Sequence, residues 1–175
     1  MATPAPSALA AARVRVGVAL LRALFDLLRG PEIGTARRSG RAGVFWRGRL
    51  VTVVDGIILC CPDTAANLTE FSKGGGYQGG AGYPMVRVLA LVACGTRTII
   101  DAVFGTDRTG ELSYAHLLLG STRAGMIVLA DRNFAAAAWL AALAATGADV
   151  LVRVKKQPGV SRERCKPRVD QDRPS

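Results

Sequence analysis

Five apolar runs rich in β-branched residues, combined with two helical patterns, constrain this chain to an α/β fold. The strand-like runs are RLVTVVDGIIL, MVRVLALVACG, TRTIIDAVFGT, GMIVLADRNF and DVLVRVKK. Helical spacing occurs in ELSYAHLLLGSTR, and again in FAAAAWLAALAATG, which Gly147 closes. The order β-β-β-α-β-α-β predicts a mixed sheet with helices on its faces, in which the second and third runs form a hairpin around Gly95.

The periodic pattern divides the chain into three segments. Residues 1–48 are predicted to hold an amphipathic helix followed by a basic linker, residues 49–157 the α/β core, and residues 158–175 a disordered or frameshifted tail. In the first segment Val14, Val18, Leu21, Phe25 and Leu28 recur at helical spacing. This stripe favours a helix that faces the core and leaves its arginines in solvent. An arginine edge that contacts DNA is the alternative.

Charge is concentrated at the two ends of the sequence. Residues 1–50 hold 9 basic and 2 acidic side chains, residues 51–154 hold 7 and 8, and residues 155–175 hold 7 and 3. Most of the cations are arginine, whose planar guanidinium pairs well with phosphate. This distribution favours a nucleic acid partner held mainly by the ends, including Arg37, Arg38, Arg41, Lys155 and Lys156.

Several other kinds of site are disfavoured. The four cysteines show no C-x-x-C spacing and His116 is the single histidine, so a zinc site is not expected. The start of the chain lacks a cleavage pattern, and no uncharged apolar run reaches the length of a membrane span. Gly74, Gly76 and Gly79 form a G-x-G-x-x-G pattern, but it lacks the strand before and the helix after that a dinucleotide site needs.

Asp55 and Asp131 are the candidate functional residues because each interrupts or ends an otherwise apolar strand. If the first and fourth strands are neighbours, the two carboxylates converge and require a cation, for which Mg²⁺ or Mn²⁺ is suited. The alternative is that Asp131 caps the following helix and pairs with Arg132, while Asp55 occupies a turn. Asp63 is expected in a turn or cap, Asp101 on the exposed face of the hairpin, and His116 in a structural role.

Five blocks in order resemble the DDE-type transposases of the insertion-sequence-four family, which have a ribonuclease-H-like catalytic core. The blocks lie within residues 11–156 and are RVRVGVALLRALFDLL, RLVTVVDGIILCCPDTAAN, YPMVRVLALVACGTRTIIDAVFG, GMIVLADRNF and TGADVLVRVKK. By this resemblance Asp55 and Asp131 are the first two catalytic aspartates and hold Mg²⁺ or Mn²⁺. Arg132 is implied to touch DNA phosphate or to brace the aspartate.

The chain also departs from the resembled family. A third carboxylate is carried there by a Y-x2-R-x3-E-x6-K helix, which this sequence lacks, and Glu163 lies in a proline-flanked segment that makes it a poor replacement. The resemblance therefore implies a cytoplasmic, nucleoid-associated transposase fragment with a core incomplete at its C-terminus and inactive by itself. Its partners would be double-stranded DNA and a second copy or a complete transposase. A non-catalytic DNA-binding remnant is the alternative.

Overall fold

The computed structural model describes residues 5–28, 44–73 and 82–154. Four α-helices occur in this part of the chain: α1 (Pro6–Leu28), α2 (Ala65–Glu70), α3 (Glu111–Leu117) and α4 (Ala137–Ala145). The strands are β1 (Phe45–Trp46), β2 (Arg49–Cys60), β3 (Met85–Ala93), β4 (Thr98–Thr106), β5 (Met126–Ala130) and β6 (Asp149–Val152). Short 3-10 helices cover Leu119–Ser121 and Arg132–Phe134.

All six strands belong to one mixed sheet with β2 at its centre. The strand order is β4-β3-β2-β5-β6, and β1 pairs with the start of β2. β2 is antiparallel to β3 and parallel to β5, and β6 continues the parallel half. The predicted mixed α/β sheet and the β3–β4 hairpin are therefore confirmed, and the arrangement is compatible with a ribonuclease-H-like fold.

The hydrophobic core lies on one face of the sheet. Along β2 alternate side chains point to opposite faces, and Leu50, Thr52 and Val54 are buried. Trp139 and Leu143 of α4 join them, and Phe134 packs against Trp139 with ring centroids 5.5 Å apart. This face is called the core face below. Strand side chains at the alternate positions point away from it.

The opposite face, called the outer face, exposes large apolar side chains. Ile57 is 57% exposed, Phe104 68% and Leu151 60%. In the described part of the chain α3 and α4 contribute to the core face, and α1 lines a cavity with Ala102 and Phe104 of β4. The outer face carries the odd-numbered positions of β2, including Asp55.

Helix α1 forms, but it does not enter the core as predicted. It has no buried residue, and Val18 and Leu21 are 80% and 52% exposed. Gly17 interrupts the helical backbone with φ 73°, so the apolar stripe does not continue on one straight face. Among the described helices, α1 included, none combines the length and apolar character needed to cross a membrane.

Asp101 is buried, which contradicts its predicted position on an exposed face. Its side chain accepts hydrogen bonds from the Ser121 hydroxyl at 2.5 Å and from the Ala102 amide at 2.9 Å. The cause is an irregularity in the pairing of β3 with β4: Leu91 pairs with Asp101, whereas Val92 pairs with Ile99. A bulge of this kind changes which face the following side chains occupy.

Candidate functional site

Asp55 lies within the central strand of the sheet. In β2 it pairs with Ala90 of β3, and its side chain is exposed on the outer face. The Gly56 amide donates a hydrogen bond of 2.8 Å to Asp55 Oδ1. Asp55 lies in the ladder with β3, and the ladder with β5 ends at the preceding residue, Val54, so the position of the carboxylate is set by the sheet and not by a loop.

Asp131 directly follows the last residue of β5. Its backbone is still extended, with φ −74° and ψ 168°, and it caps the 3-10 helix by accepting a hydrogen bond of 2.6 Å from the Arg132 amide. Phe134 at the end of that short helix is buried against Trp139. The apolar anchor at Phe134 therefore fixes the turn that presents Asp131.

Asp55 and Asp131 occupy neighbouring register positions on parallel strands. Val54 pairs with Ala130, both with side chains on the core face, and each aspartate is the next residue. Since successive extended residues alternate between faces, both carboxylates point to the outer face, on strands that lie about 4.8 Å apart. Toward described residues each carboxylate accepts a hydrogen bond at Oδ1, whereas Oδ2 has no donor.

The non-catalytic alternative for these two residues is correct in one respect. Asp131 does cap the following helix. However, it forms no ion pair with Arg132 or with any other described residue, and Asp55 lies in a 12-residue strand and not in a turn. Capping explains one oxygen of Asp131, and it explains nothing about Asp55.

The pair supplies the hard oxygen ligands that Mg²⁺ and Mn²⁺ prefer. Within residues 5–28, 44–73 and 82–154, however, no group of three or more His, Cys, Asp or Glu side chains is placed to hold a metal ion. Asp63 is engaged by Lys73 at 2.6 Å, beside Thr64, which caps α2. His116 lies exposed on α3. The described chain thus offers two carboxylates for an ion that needs further ligands.

Among the residues predicted to contact DNA, Arg132 lies within the described part of the chain. Its side chain is exposed in the first position after Asp131. Arg37, Arg38, Arg41, Lys155 and Lys156 lie outside the described residues, as do Glu163 and the glycines of the G-x-G-x-x-G pattern. Their predicted roles stay predictions.

Arg87 and Glu111 form an ion pair next to the site that sequence reasoning missed. Arg87 Nη1 lies 2.7 Å from Glu111 Oε1, and the two side chains are 16% and 29% exposed. A Cβ atom on Gly56 would lie 3.3 Å from Glu111 Oε1, so the pair sits on the core face behind the Asp55 segment. The feature of the sequence that indicated such a pair was Arg87, a single charged residue within the apolar run MVRVLALVA.

Comparison with known families identifies the domain. A family model described as "Transposase DDE domain" matches residues 46–174, which is about three quarters of the chain. The chain belongs to the transposase DDE domain family. No curated protein and no solved structure matches it.

The matched region of this transposase domain begins in β1 and contains Asp55 and Asp131. It also continues past Lys156, through the segment predicted to be a disordered or frameshifted tail. Glu163, Asp170 and Asp172 are the acidic residues of that segment. Transposase domains generally bind DNA and use divalent metal ions.

Proposed function

We propose that this chain is a DDE transposase of the insertion-sequence-four type, with a ribonuclease-H-like core whose Asp55 and Asp131 hold a catalytic Mg²⁺ or Mn²⁺ ion. The single observation that carries the proposal is the pairing of Val54 with Ala130, which makes the two aspartates neighbours on one face. Two adjacent carboxylates repel, and a divalent cation removes that repulsion.

The two aspartates would contribute negative charge and, from each carboxylate, one oxygen that is free to bind a metal ion. Each carboxylate keeps Oδ1 on the amide of the next residue and leaves Oδ2 without a described donor. A divalent ion bound there supplies an activated water and stabilises the attacking and leaving oxygens at phosphorus. Arg132, exposed beside Asp131, orients a DNA phosphate at the same place.

The same carboxylate pair explains why the chain is proposed to be inactive by itself. Strand cleavage followed by attack of the freed 3′ hydroxyl uses two divalent ions and a third carboxylate. The described residues provide no third acidic ligand beside Asp55 and Asp131. Because the sequence also lacks the Y-x2-R-x3-E-x6-K helix that carries a third carboxylate in the resembled family, two carboxylates would hold the first ion weakly and the second more weakly still.

A manganese titration tests the assignment directly. Calorimetry on the purified chain is expected to detect Mn²⁺ binding that Asp55→Asn and Asp131→Asn each weaken strongly, since each removes one of two charges at the site. Asp63→Asn is the matched control, because Asp63 is an aspartate engaged by Lys73 away from the pair. Equal binding by all four proteins would overturn the metal site.

A plasmid-nicking assay with Mg²⁺ and Mn²⁺ tests the catalytic part. We expect weak nicking or none from the wild type, and none from Asp131→Asn. Nicking that persists in both aspartate variants would assign the cleavage to another site.

A second function, a DNA-binding remnant that modulates a complete transposase as its partner, is favoured by the charge distribution. Basic residues outnumber acidic ones 9 to 2 in residues 1–50 and 7 to 3 in residues 155–175. Such a protein binds duplex DNA without divalent ions, and Asp55→Asn and Asp131→Asn leave that binding unchanged. Retained binding combined with no metal uptake would select this function over the enzyme.

A further inference from the structure

We propose that the end of the sheet opposite Asp131 is a second duplex DNA contact, formed by Trp46, Arg47, Arg97 and Arg123 and called the arginine end below. This inference shares the DNA partner with the proposed function, but it does not depend on the metal site. Arg47 and Arg97 occupy turns that adjoin the starts of β2 and β4, and Arg123 precedes β5. Asp55 lies further along β2, and Asp131 follows the far end of β5.

The β3–β4 turn packs against the residue that precedes β1. A Cβ atom on Gly95, in the β3–β4 turn, would lie only 2.6 Å from Val44 Cα, at the start of β1. Arg123 lies close to the start of β2, in the segment that leads into β5. The Leu50 amide donates to Gly125 O at 2.8 Å, and the Met126 amide donates to Arg123 O at 3.2 Å. The three arginines thus lie on neighbouring segments of one end of the sheet.

Backbone conformation distinguishes Arg47 and Arg97 from other exposed arginines of the described chain. Arg47 has φ 48° and Arg97 has φ 60°, and they are the non-glycine residues with positive φ in the described chain. Arg47 and Gly48 form the two-residue turn between the paired residues Trp46 and Arg49, a turn in which Asn-Gly is favoured. Arginine is disfavoured at both positions, so its presence indicates a use other than stability.

The side chains at the arginine end are available for a ligand. Arg47, Arg97 and Arg123 are exposed and form no ion pair with a described residue. Asp149, the acidic residue of the described chain at this end, is engaged by Arg49. Arg47 lies over the Trp46 ring, 4.8 Å from its centroid, and Trp46 is 52% exposed. Stacking holds the guanidinium plane in place and leaves its donors free.

Duplex DNA is the partner that this arrangement fits. Neighbouring strands are about 4.8 Å apart, so arginines on the turns beside β4, β2 and β5 spread over roughly 15 Å. That span is comparable with the major groove, about 12 Å wide, whose two edges are lined by phosphates. Arginines without acidic neighbours contact phosphates and not bases, so the binding is independent of sequence and sensitive to salt.

The test measures DNA affinity against salt in EDTA, where the metal site has no part. The double variant Arg47→Asn/Arg97→Asn is expected to lower the slope of log affinity against log salt by about 2, one for each lost phosphate contact. Its melting temperature is expected to stay equal or to rise, because asparagine tolerates positive φ better than arginine. Arg123→Gln, at a position without this backbone constraint, is expected to lower the slope by about 1.

The matched control is Arg108→Gln, which removes the same charge as Arg123→Gln from an exposed arginine that follows the opposite end of β4. If it lowers the slope as much as Arg123→Gln does, binding follows net charge and the proposal is overturned. An unchanged slope in Arg47→Asn/Arg97→Asn overturns it as well. Metal binding that Asp131→Asn leaves unchanged would count against the proposed enzyme alone, so failure of either proposal can be told from failure of the other.

Tryptophan emission gives an independent readout. The chain has two tryptophans, of which Trp46 is 52% exposed and Trp139 is 1% exposed. DNA bound at the arginine end is expected to change the Trp46 emission, and Trp46→Phe to remove that change. DNA binding that leaves the emission of the wild type unaltered would place the duplex elsewhere.

Discussion

Glu111 accepts a hydrogen bond of 2.7 Å from Arg87 directly behind the strand segment that carries Asp55. The pair joins α3 to β3 on the core face, and Arg87 also reaches Asp107 O at 3.4 Å. Because the contact lies across the sheet from the aspartates, it supports the strand that positions Asp55 without occupying the face on which the two carboxylates lie.

We expect Arg87→Met and Glu111→Gln each to lower the free energy of unfolding by about 1–3 kcal/mol, since each leaves a partly buried charge without its partner. Urea denaturation measures the effect, and the double variant completes a cycle. A coupling of about 1 kcal/mol between the two substitutions is expected for residues in contact. Additive effects would show that the pair is not formed in solution.

Substitutions of Asp131 separate its capping role from its proposed metal role. Asp131→Ala is expected to cost about 1 kcal/mol of stability because the Arg132 amide loses its acceptor. Asp131→Asn keeps an acceptor and should leave stability close to wild type, yet it removes the charge that a metal ion needs. Thermal denaturation and Mn²⁺ titration measure the two roles. Asp131→Ala should lower both the melting temperature and Mn²⁺ binding, whereas Asp131→Asn should lower Mn²⁺ binding alone. Full Mn²⁺ binding by Asp131→Asn would leave capping as the role of this residue.

Burial makes Asp101 more important for stability than an exposed aspartate. Asp101→Ala removes the acceptor of the Ser121 hydroxyl and of the Ala102 amide, and we expect a loss of about 2 kcal/mol in urea denaturation. Asp63→Ala is the control, since its ion pair with Lys73 is largely solvated and its loss should cost at most about 1 kcal/mol. Equal effects would contradict the buried position of Asp101.

Close packing at Gly95 predicts a large effect of a single methyl group. In Gly95→Ala the new Cβ would meet Val44 Cα at 2.6 Å, so the β1 segment or the β3–β4 turn must move. We expect a loss of about 1–3 kcal/mol, as in other overpacked sites. Gly120→Ala is the matched control because nothing lies within 4 Å of its Cβ position. A neutral Gly95→Ala variant would show that the two segments separate easily.

The sequence was sufficient to predict five of the six strands and the hairpin, whereas it made the meeting of the two aspartates conditional on their strands being neighbours. Runs such as GMIVLADRNF carry strong local preferences, and the mixed topology makes Asp55 and Asp131 neighbours once β5 joins β2. The metal and catalytic roles of Asp55 and Asp131 stay predictions. In the described chain one oxygen of each carboxylate accepts a hydrogen bond from the amide of the next residue.

Three features could not be obtained from local pattern. The burial of Asp101 depends on the irregular pairing at Leu91 and Val92, which shifts side chains between faces in a way that alternation does not reveal. The ion pair of Arg87 with Glu111 joins residues 24 positions apart. The periodicity of α1 suggested a core helix, yet periodicity shows only that one side is apolar and not what covers it.

The central position of β2 ties the proposed chemistry to the order in which the chain is made. β2, β3 and β4 are consecutive antiparallel partners and can pair as soon as they leave the ribosome, whereas β5 must cross back to the other side of β2. Such non-local pairing is slow compared with hairpin formation. A nascent chain that has not yet added β5 carries Asp55 alone and cannot bind an ion between two carboxylates. Assembly of the proposed metal site is therefore delayed until synthesis has passed Asp131.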